Sequence, residues 1–143
     1  MQKINFSITF KDYIQLLYPN CIHGAIFSSE GDIWSCSDGW TFTSEYAKEI
    51  SHLMDDPQTA MKSKFSLGQR DYLVIYSDYN TLVGRKREFG VMVKKSKMYY
   101  VIGFCDGSIN PTKCLDSVSR VSKMMKRSSK QPNKEFLQNK STQ

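Results

Sequence analysis

Few side chains in this sequence are spaced for covalent chemistry. His23 and His52 stand without a recognisable nucleophile motif around them. Cys21, Cys36, Cys105 and Cys114 are scattered with no Cys-x-x-Cys pair, and with two histidines they assemble no zinc-ligand spacing. They read as reduced, mostly packed thiols. Asp55-Asp56 could form an acid–base pair, but Pro57 follows at once and the trio reads as a helix stop. Gly84-Arg-Lys-Arg-Glu-Phe-Gly90 combines glycines with cations, yet it lacks the Gly-Lys-Ser/Thr ending of a phosphate loop. These patterns argue against an enzyme and call for no cofactor or metal. They point to binding.

Two features suit binding. The first is Gly24-Ala-Ile-Phe-Ser-Ser-Glu-Gly-Asp-Ile-Trp-Ser-Cys-Ser37, read as a strand, a tight turn at Glu30-Gly31 and a second strand carrying Trp34. A Trp there either seals a core or offers a flat docking surface for a proline-rich ligand. The second is charge. The net +6 comes largely from Arg85-Lys86-Arg87, Lys94-Lys95-x-Lys97 and Lys123-x-x-Lys126-Arg127. Such clusters suit an acidic protein face, anionic lipid or nucleic acid, or they are a solvated basic surface. Base-stacking aromatics are not interleaved with them, so nucleic acid is not expected as a partner.

The elements that would position these residues follow from periodicity. At 143 residues and 40% hydrophobic, the chain fits one domain with a core that needs no staples. No apolar run is long enough to span a bilayer, and the first residues lack a secretory signal pattern, so the reading is cytosolic. Thr9-Phe-Lys-Asp12 has the form of a capping box, and Phe10, Tyr13, Ile14 and Leu17 recur at helical spacing up to Pro19. Thr43 or Ser44 caps a second helix with Tyr46, Ile50, Leu53 and Met54 on one stripe, and a short helical turn runs through Thr59–Met61. Short antiparallel strands are expected at 65–67, 71–76, 81–83, 90–94 and 98–104, with Gly84–Arg87 as a turn. Asn110-Pro111 opens a last helix that buries Cys114, Val118, Val121 and Met125. The expected fold is an α+β sandwich. Its central antiparallel sheet carries the N- and C-terminal helices on one face and shorter helices on the other. Residues 1–8 form an extension, 9–127 the domain, and 128–143 a polar, mobile tail.

The helix-hairpin-helix-meander-helix order resembles that of profilins, and local motifs match in sequence. Phe10-Lys-Asp-Tyr13 resembles the N-terminal Trp-x-x-Tyr of that family, and Gly31-Asp-Ile-Trp34 its Gly-x-x-Trp hairpin. Asp78-Tyr-Asn-Thr-Leu-Val-Gly-Arg-Lys86 resembles the Asp-x-x-x-x-x-Gly-Lys-Lys segment of protist and plant members, and Val91-Met-Val-Lys94 with the helix after Pro111 completes the series. The resemblance covers about residues 9 to 126, most of a domain of ordinary size. It implies a monomeric, cytoplasmic, cytoskeletal protein that binds monomeric actin and influences filament assembly and nucleotide exchange. Proline-rich proteins and phosphoinositide lipids are the other partners it implies.

The resemblance also carries positions. Those matching the family's actin face are Met61, Lys62, Tyr76, Arg85, Lys86, Glu88 and Gly90, with Thr112, Asp116, Ser119 and Arg120 on the last helix. Asp116, Ser119 and Arg120 are expected on one flank, since positions three and four apart share a helix face. Tyr76 and Asn80 stand where many profilins carry arginine. The matching polyproline row is Phe10, Tyr13, Trp34 and Met124. Phe10 replaces a Trp and so lacks its N–H donor, and Met124 replaces an aromatic or His and gives no flat face. Weakened binding of proline-rich ligands is therefore expected. A different small α/β/α sandwich, of the longin or roadblock kind that scaffolds trafficking complexes, shares the sheet and flanking helices. So does a profilin fold that serves lipid or scaffold roles without actin. A profilin requires both terminal helices on one face beside Trp34.

Overall fold

The computed structural model describes residues 9–129. The expected extension at 1–8 and almost all of the expected tail lie outside the described residues. Eleven elements follow in order: α1 (Phe10–Gln15), β1 (His23–Phe27), β2 (Ile33–Cys36), α2 (Ser44–Met54), α3 (Pro57–Ala60), β3 (Lys64–Leu67), β4 (Arg70–Ser77), β5 (Thr81–Lys86), β6 (Phe89–Lys95), β7 (Tyr100–Cys105) and α4 (Pro111–Ser129). The strands form one antiparallel sheet of order β2-β1-β7-β6-β5-β4-β3.

Helix ends follow the capping chemistry written in the sequence. Thr9 Oγ1 accepts from the Asp12 N–H at 3.2 Å while the Thr9 N–H donates to Asp12 Oδ2 at 3.0 Å, a closed capping box. Thr43 caps α2 by accepting from the Tyr46 N–H. The Asp-Asp-Pro stop serves two helices: Asp55 is the C-cap of α2, Asp56 is the N-cap of α3, and Pro57 occupies the first turn of α3. The short helix therefore starts two residues before Thr59. Asn110 Oδ1 accepts from the Thr112 N–H at 2.8 Å and opens α4.

Two cores sandwich the sheet. On one face Ala47, Ile50 and Met54 of α2 and Ala60 of α3 pack on Ala25, Phe27, Leu82, Val91, Val93 and Ile102. On the other, Tyr13, Ile14 and Leu17 at α1 and Cys114, Val118, Val121 and Met125 of α4 pack on Ile26, Val83, Met92 and Val101. Residues adjacent along each strand divide between the two clusters, as period-two geometry demands. Trp34 packs against the second cluster, so both terminal helices lie on one face beside it, the arrangement a profilin requires and the other sandwiches do not.

Some boundaries differ from the sequence reading. Gly84–Arg87 is not a turn. Gly84, Arg85 and Lys86 are paired with Val91, Gly90 and Phe89, and the chain reverses at Arg87-Glu88, where Arg87 has φ 56°. Gly84 stays in the strand because the Phe65 ring occupies its side-chain position, 2.7 Å from where a Cβ would stand. β7 begins at Tyr100, leaving Met98 and Tyr99 in the preceding turn, and α1 ends at Gln15. α4 runs to Ser129, two residues past the expected domain end.

Candidate functional site

The first face lies where α4 stops covering the sheet. α4 packs chiefly on β6 and β7, so the same side of β4 and β5 is left open. Cross-strand partners share a face, and the register Leu73↔Arg85↔Gly90, with Tyr76↔Val83, puts Leu73, Tyr76, Arg85 and Gly90 on that open side. Leu73 is 56% exposed and Tyr76 49%. Ile75 is the extra residue of a bulge between Val74 and Tyr76, also exposed. The Tyr76 hydroxyl donates to Asp78 Oδ2 at 2.6 Å. That bond and the carboxylate charge push the phenol pKa up. At Asp78, desolvation favours the neutral acid, but the bonds from Tyr76 and the Asn80 and Thr81 backbone outweigh it and hold the carboxyl below its usual range. Arg85 Nη2 donates to the Arg87 carbonyl at 3.0 Å, and its buried Nε has no partner among the described residues.

The other positions expected to match the family's actin face divide. Lys86 pairs with Phe89, on the opposite side of the sheet from Arg85, near the Arg70 guanidinium that stacks 3.5 Å over the Phe89 ring. The basic triplet is thus split by strand alternation and does not form one patch beside the last helix. Glu88 sits in the exposed β5–β6 turn. Met61 and Lys62 lie at the end of α3, whose Ala60 belongs to the core of the opposite face. Thr112 and Asp116 are exposed on α4. Ser119 lines a cleft with Lys94 and Asn80, whereas Arg120 Nη2 donates to Ser117 Oγ at 3.4 Å. The Asn20 amide donates to that same hydroxyl at 3.1 Å, so Arg120 leans to the α1 side. Ser119 and Arg120 therefore straddle the helix and do not share one flank.

The second face is aromatic. Phe10 and Trp34 stand with ring centroids 5.0 Å apart, and Tyr99 completes the group at 4.7 Å from Trp34 and 5.5 Å from Phe10. All three are partly buried, leaving an aromatic rim. Met124, also partly buried, packs against the same core. Tyr13 does not join the open row. At 5% exposed its ring is core, because it faces inward with Ile14 of α1 and Leu17 of the turn that follows. Tyr99 takes its place at the rim, and its signal in the sequence was weak: an aromatic in what reads as a strand interior, moved into a turn by the start of β7.

The remaining chemistry is quiet. Cys21, Cys105 and Cys114 are buried free thiols, with Cys21 and Cys114 Sγ atoms 3.3 Å apart. The Cys105 thiol is pushed well up, first by its hydrogen bond with Cys114 and then by burial, which disfavours the reactive thiolate. His23 Nδ1 lies 3.1 Å from Ser37 Oγ, and its ring stacks on Trp40 at 5.7 Å; burial lowers its pKa. Among the described residues no group of three metal-ligating side chains converges, and no helix is long and apolar enough to cross a membrane.

Comparison with known proteins agrees with this architecture. Acanthamoeba castellanii profilin IB superposes with a TM-score of 0.79 at 17% identity, covering 85% of this chain and 99% of its own. A Schizosaccharomyces pombe profilin gives 0.76 at 13% identity, covering 82% and 96%. The profilin of the LokiProfilin2/rabbit actin complex gives 0.67 at 16% identity, covering 89% and 98%. At such identities these likenesses speak for the fold. The profilin family model matches residues 9–130, well over half of the sequence, and with the terminal helices seated beside Trp34 the chain belongs to the profilin family.

Proposed function

We propose that this protein binds monomeric actin through the open face of β4–β6 and the adjoining flank of α4, and thereby influences filament assembly and nucleotide exchange on actin. The observation that carries this reading is the exposed pair Leu73 and Tyr76 beside the half-buried Arg85 side chain. Exposed apolar side chains beside a guanidinium have the composition of a protein interface core with its rim. That LokiProfilin2, a chain of the same fold, is seen in complex with rabbit actin supports the choice of partner. Proline-rich segments are the second partner, docking on Phe10, Trp34 and Tyr99 with Met124 at the margin. Only Trp34 and Tyr99 there carry ring-borne donors for the ligand carbonyls, so this binding is weak. Phosphoinositide lipids are the third, attracted by the basic clusters. These partners place the protein in the cytoplasm with the cytoskeleton. The test is titration of folded protein with labelled monomeric actin at physiological salt. A one-to-one complex that slows nucleation is expected, and no complex at tens of micromolar would reject the reading.

A further inference from the structure

α4 ends beside the open face of β4 and β5. Its buried stripe lies on β6 and β7, the same side of the sheet as that face. Ser119, Ser122 and Lys126 of α4 line one concavity with Asn80 of the β4–β5 turn. Lys126 belongs to the last turn of the helix, which ends at Ser129. The chain therefore leaves α4 at the end of the sheet where β4 finishes, on the uncovered side. Exposed apolar side chains stand there: Ile75 is 48% exposed, Tyr76 49% and Tyr79 of the turn 68%. Val83, the cross-strand partner of Tyr76, is the buried floor beside them.

The sequence after Ser129 is almost entirely polar. Phe136-Leu137 is its one pair of large apolar side chains, and Lys130, Lys134 and Lys140 outnumber Glu135. Phe136 follows Ser129 by about seven residues, which span at most about 23 Å. Along β4, Tyr76 lies within about 13 Å of Asn80, whereas Leu73 lies about 23 Å away, at that limit. Length therefore selects the end of the open face at Ile75–Tyr79 and leaves Leu73 uncovered. Charge selects the same place. The Asp78 carboxylate, which accepts from the Tyr76 hydroxyl, offers a counter-charge to Lys134, two residues before Phe136. The aromatic rim of Phe10, Trp34 and Tyr99 is less suited. Its rings are already half-buried against one another, and Lys97 and Lys123 beside Tyr99 and Met124 repel a cationic segment.

We propose that this chain's own segment around Phe136-Leu137 folds back over Ile75, Tyr76 and Tyr79 and covers that end of the open face. Two apolar side chains bind weakly by themselves. A connection of this length holds them near the face at an effective concentration of about millimolar, so an intrinsic affinity of about millimolar fills the face in about half of the molecules. The covered residues belong to the face that monomeric actin is proposed to contact, so the segment competes with actin. Apparent actin affinity then falls in proportion to the fraction of molecules left open. The competition rests on the functional reading above; the docking does not.

The test is made on the full chain, first without actin. Nuclear Overhauser contacts are expected from the Phe136 ring and Leu137 methyls to the Ile75 methyls and the Tyr76 ring, with relative intensities unchanged on about tenfold dilution. Lys134→Glu should weaken them, and less so at high salt. Phe136→Ala with Leu137→Ala should abolish them, shift the Ile75 and Tyr76 resonances, and raise actin affinity about two- to threefold. Absence of the contacts in wild type, contacts to Trp34 or Tyr99 in their place, or contacts that fade on dilution as those of a second copy would, overturns the proposal. Contacts present with equal actin affinity in wild type and the double variant would overturn the competition. A wild-type chain that binds no actin would reject the functional reading, while the contacts still decide the docking.

Discussion

Leu73→Ala tests the actin face at a residue that matches no motif. Leu73 stands on β4, paired with Arg85 on one side and Lys64 on the other, and 56% of it remains exposed. Fully burying a leucine side chain gains about 1.5–3 kcal/mol, so covering the exposed 56% would contribute about 0.8–1.7 kcal/mol. Removing it should raise the actin Kd by about four- to seventeen-fold. The free protein should lose little, because the deleted atoms face solvent and the ladder hydrogen bonds are untouched; a β-propensity penalty of at most about 1 kcal/mol is expected. The assay is fluorescence titration with labelled monomeric actin, with thermal denaturation alongside. Met98→Ala is the control, since Met98 is 63% exposed but sits in the β6–β7 turn away from this face. It should change the Kd by less than about twofold. A folded Leu73→Ala protein that binds actin as tightly as wild type, or a Met98→Ala protein that loses as much, would refute the placement of the interface.

Three further outcomes are expected. Gly103→Ala would put a methyl 2.6 Å from Val118 Cγ2 and 2.7 Å from Cys21 Sγ, between β7 and α4. This overpacking should cost about 1–3 kcal/mol and lower Tm by about 3–12 °C, and a wild-type melting curve would show that α4 can lift without cost. Phe10→Trp with Met124→Tyr should raise affinity for an oligoproline peptide about tenfold, read from Trp34 chemical shifts, by restoring a donor and a flat ring; no gain would place that ligand elsewhere. Burial lowers the His23 pKa below 6.5, so neutral His23 contributes stability that is complete above 6.5 and is lost as pH falls from there toward the folded value. His23→Gln should therefore flatten the decline of Tm between about pH 7.5 and 5.5, and an unchanged slope would show that His23 titrates normally.

Local chemistry in the sequence determined much of this protein. The Thr9/Asp12 box, the Asp-Asp-Pro stop and Asn110-Pro111 set helix ends through bonds within three residues, which spacing alone specifies. The α4 stripe Cys114, Val118, Val121 and Met125 was legible for the same reason: one buried helix face leaves a 3.6-residue period. What only the tertiary structure decided depends on partners distant in the chain. Gly84 reads as a turn residue until Phe65, nineteen positions earlier, is seen to fill its side-chain space. Lys86 and Arg85 read as one patch until β5 pairs through Lys86 and strand alternation sends them to opposite faces. Tyr13 reads as part of an aromatic row until sheet packing claims its ring and leaves the partly buried Tyr99 at the rim. Lys94 and Lys95 likewise read as one cluster until strand alternation turns them to opposite faces, with the Lys95 ammonium over the Tyr100 ring. Short-range hydrogen bonds and periodicity are written in consecutive residues; cross-strand register and the burial of a given face are not.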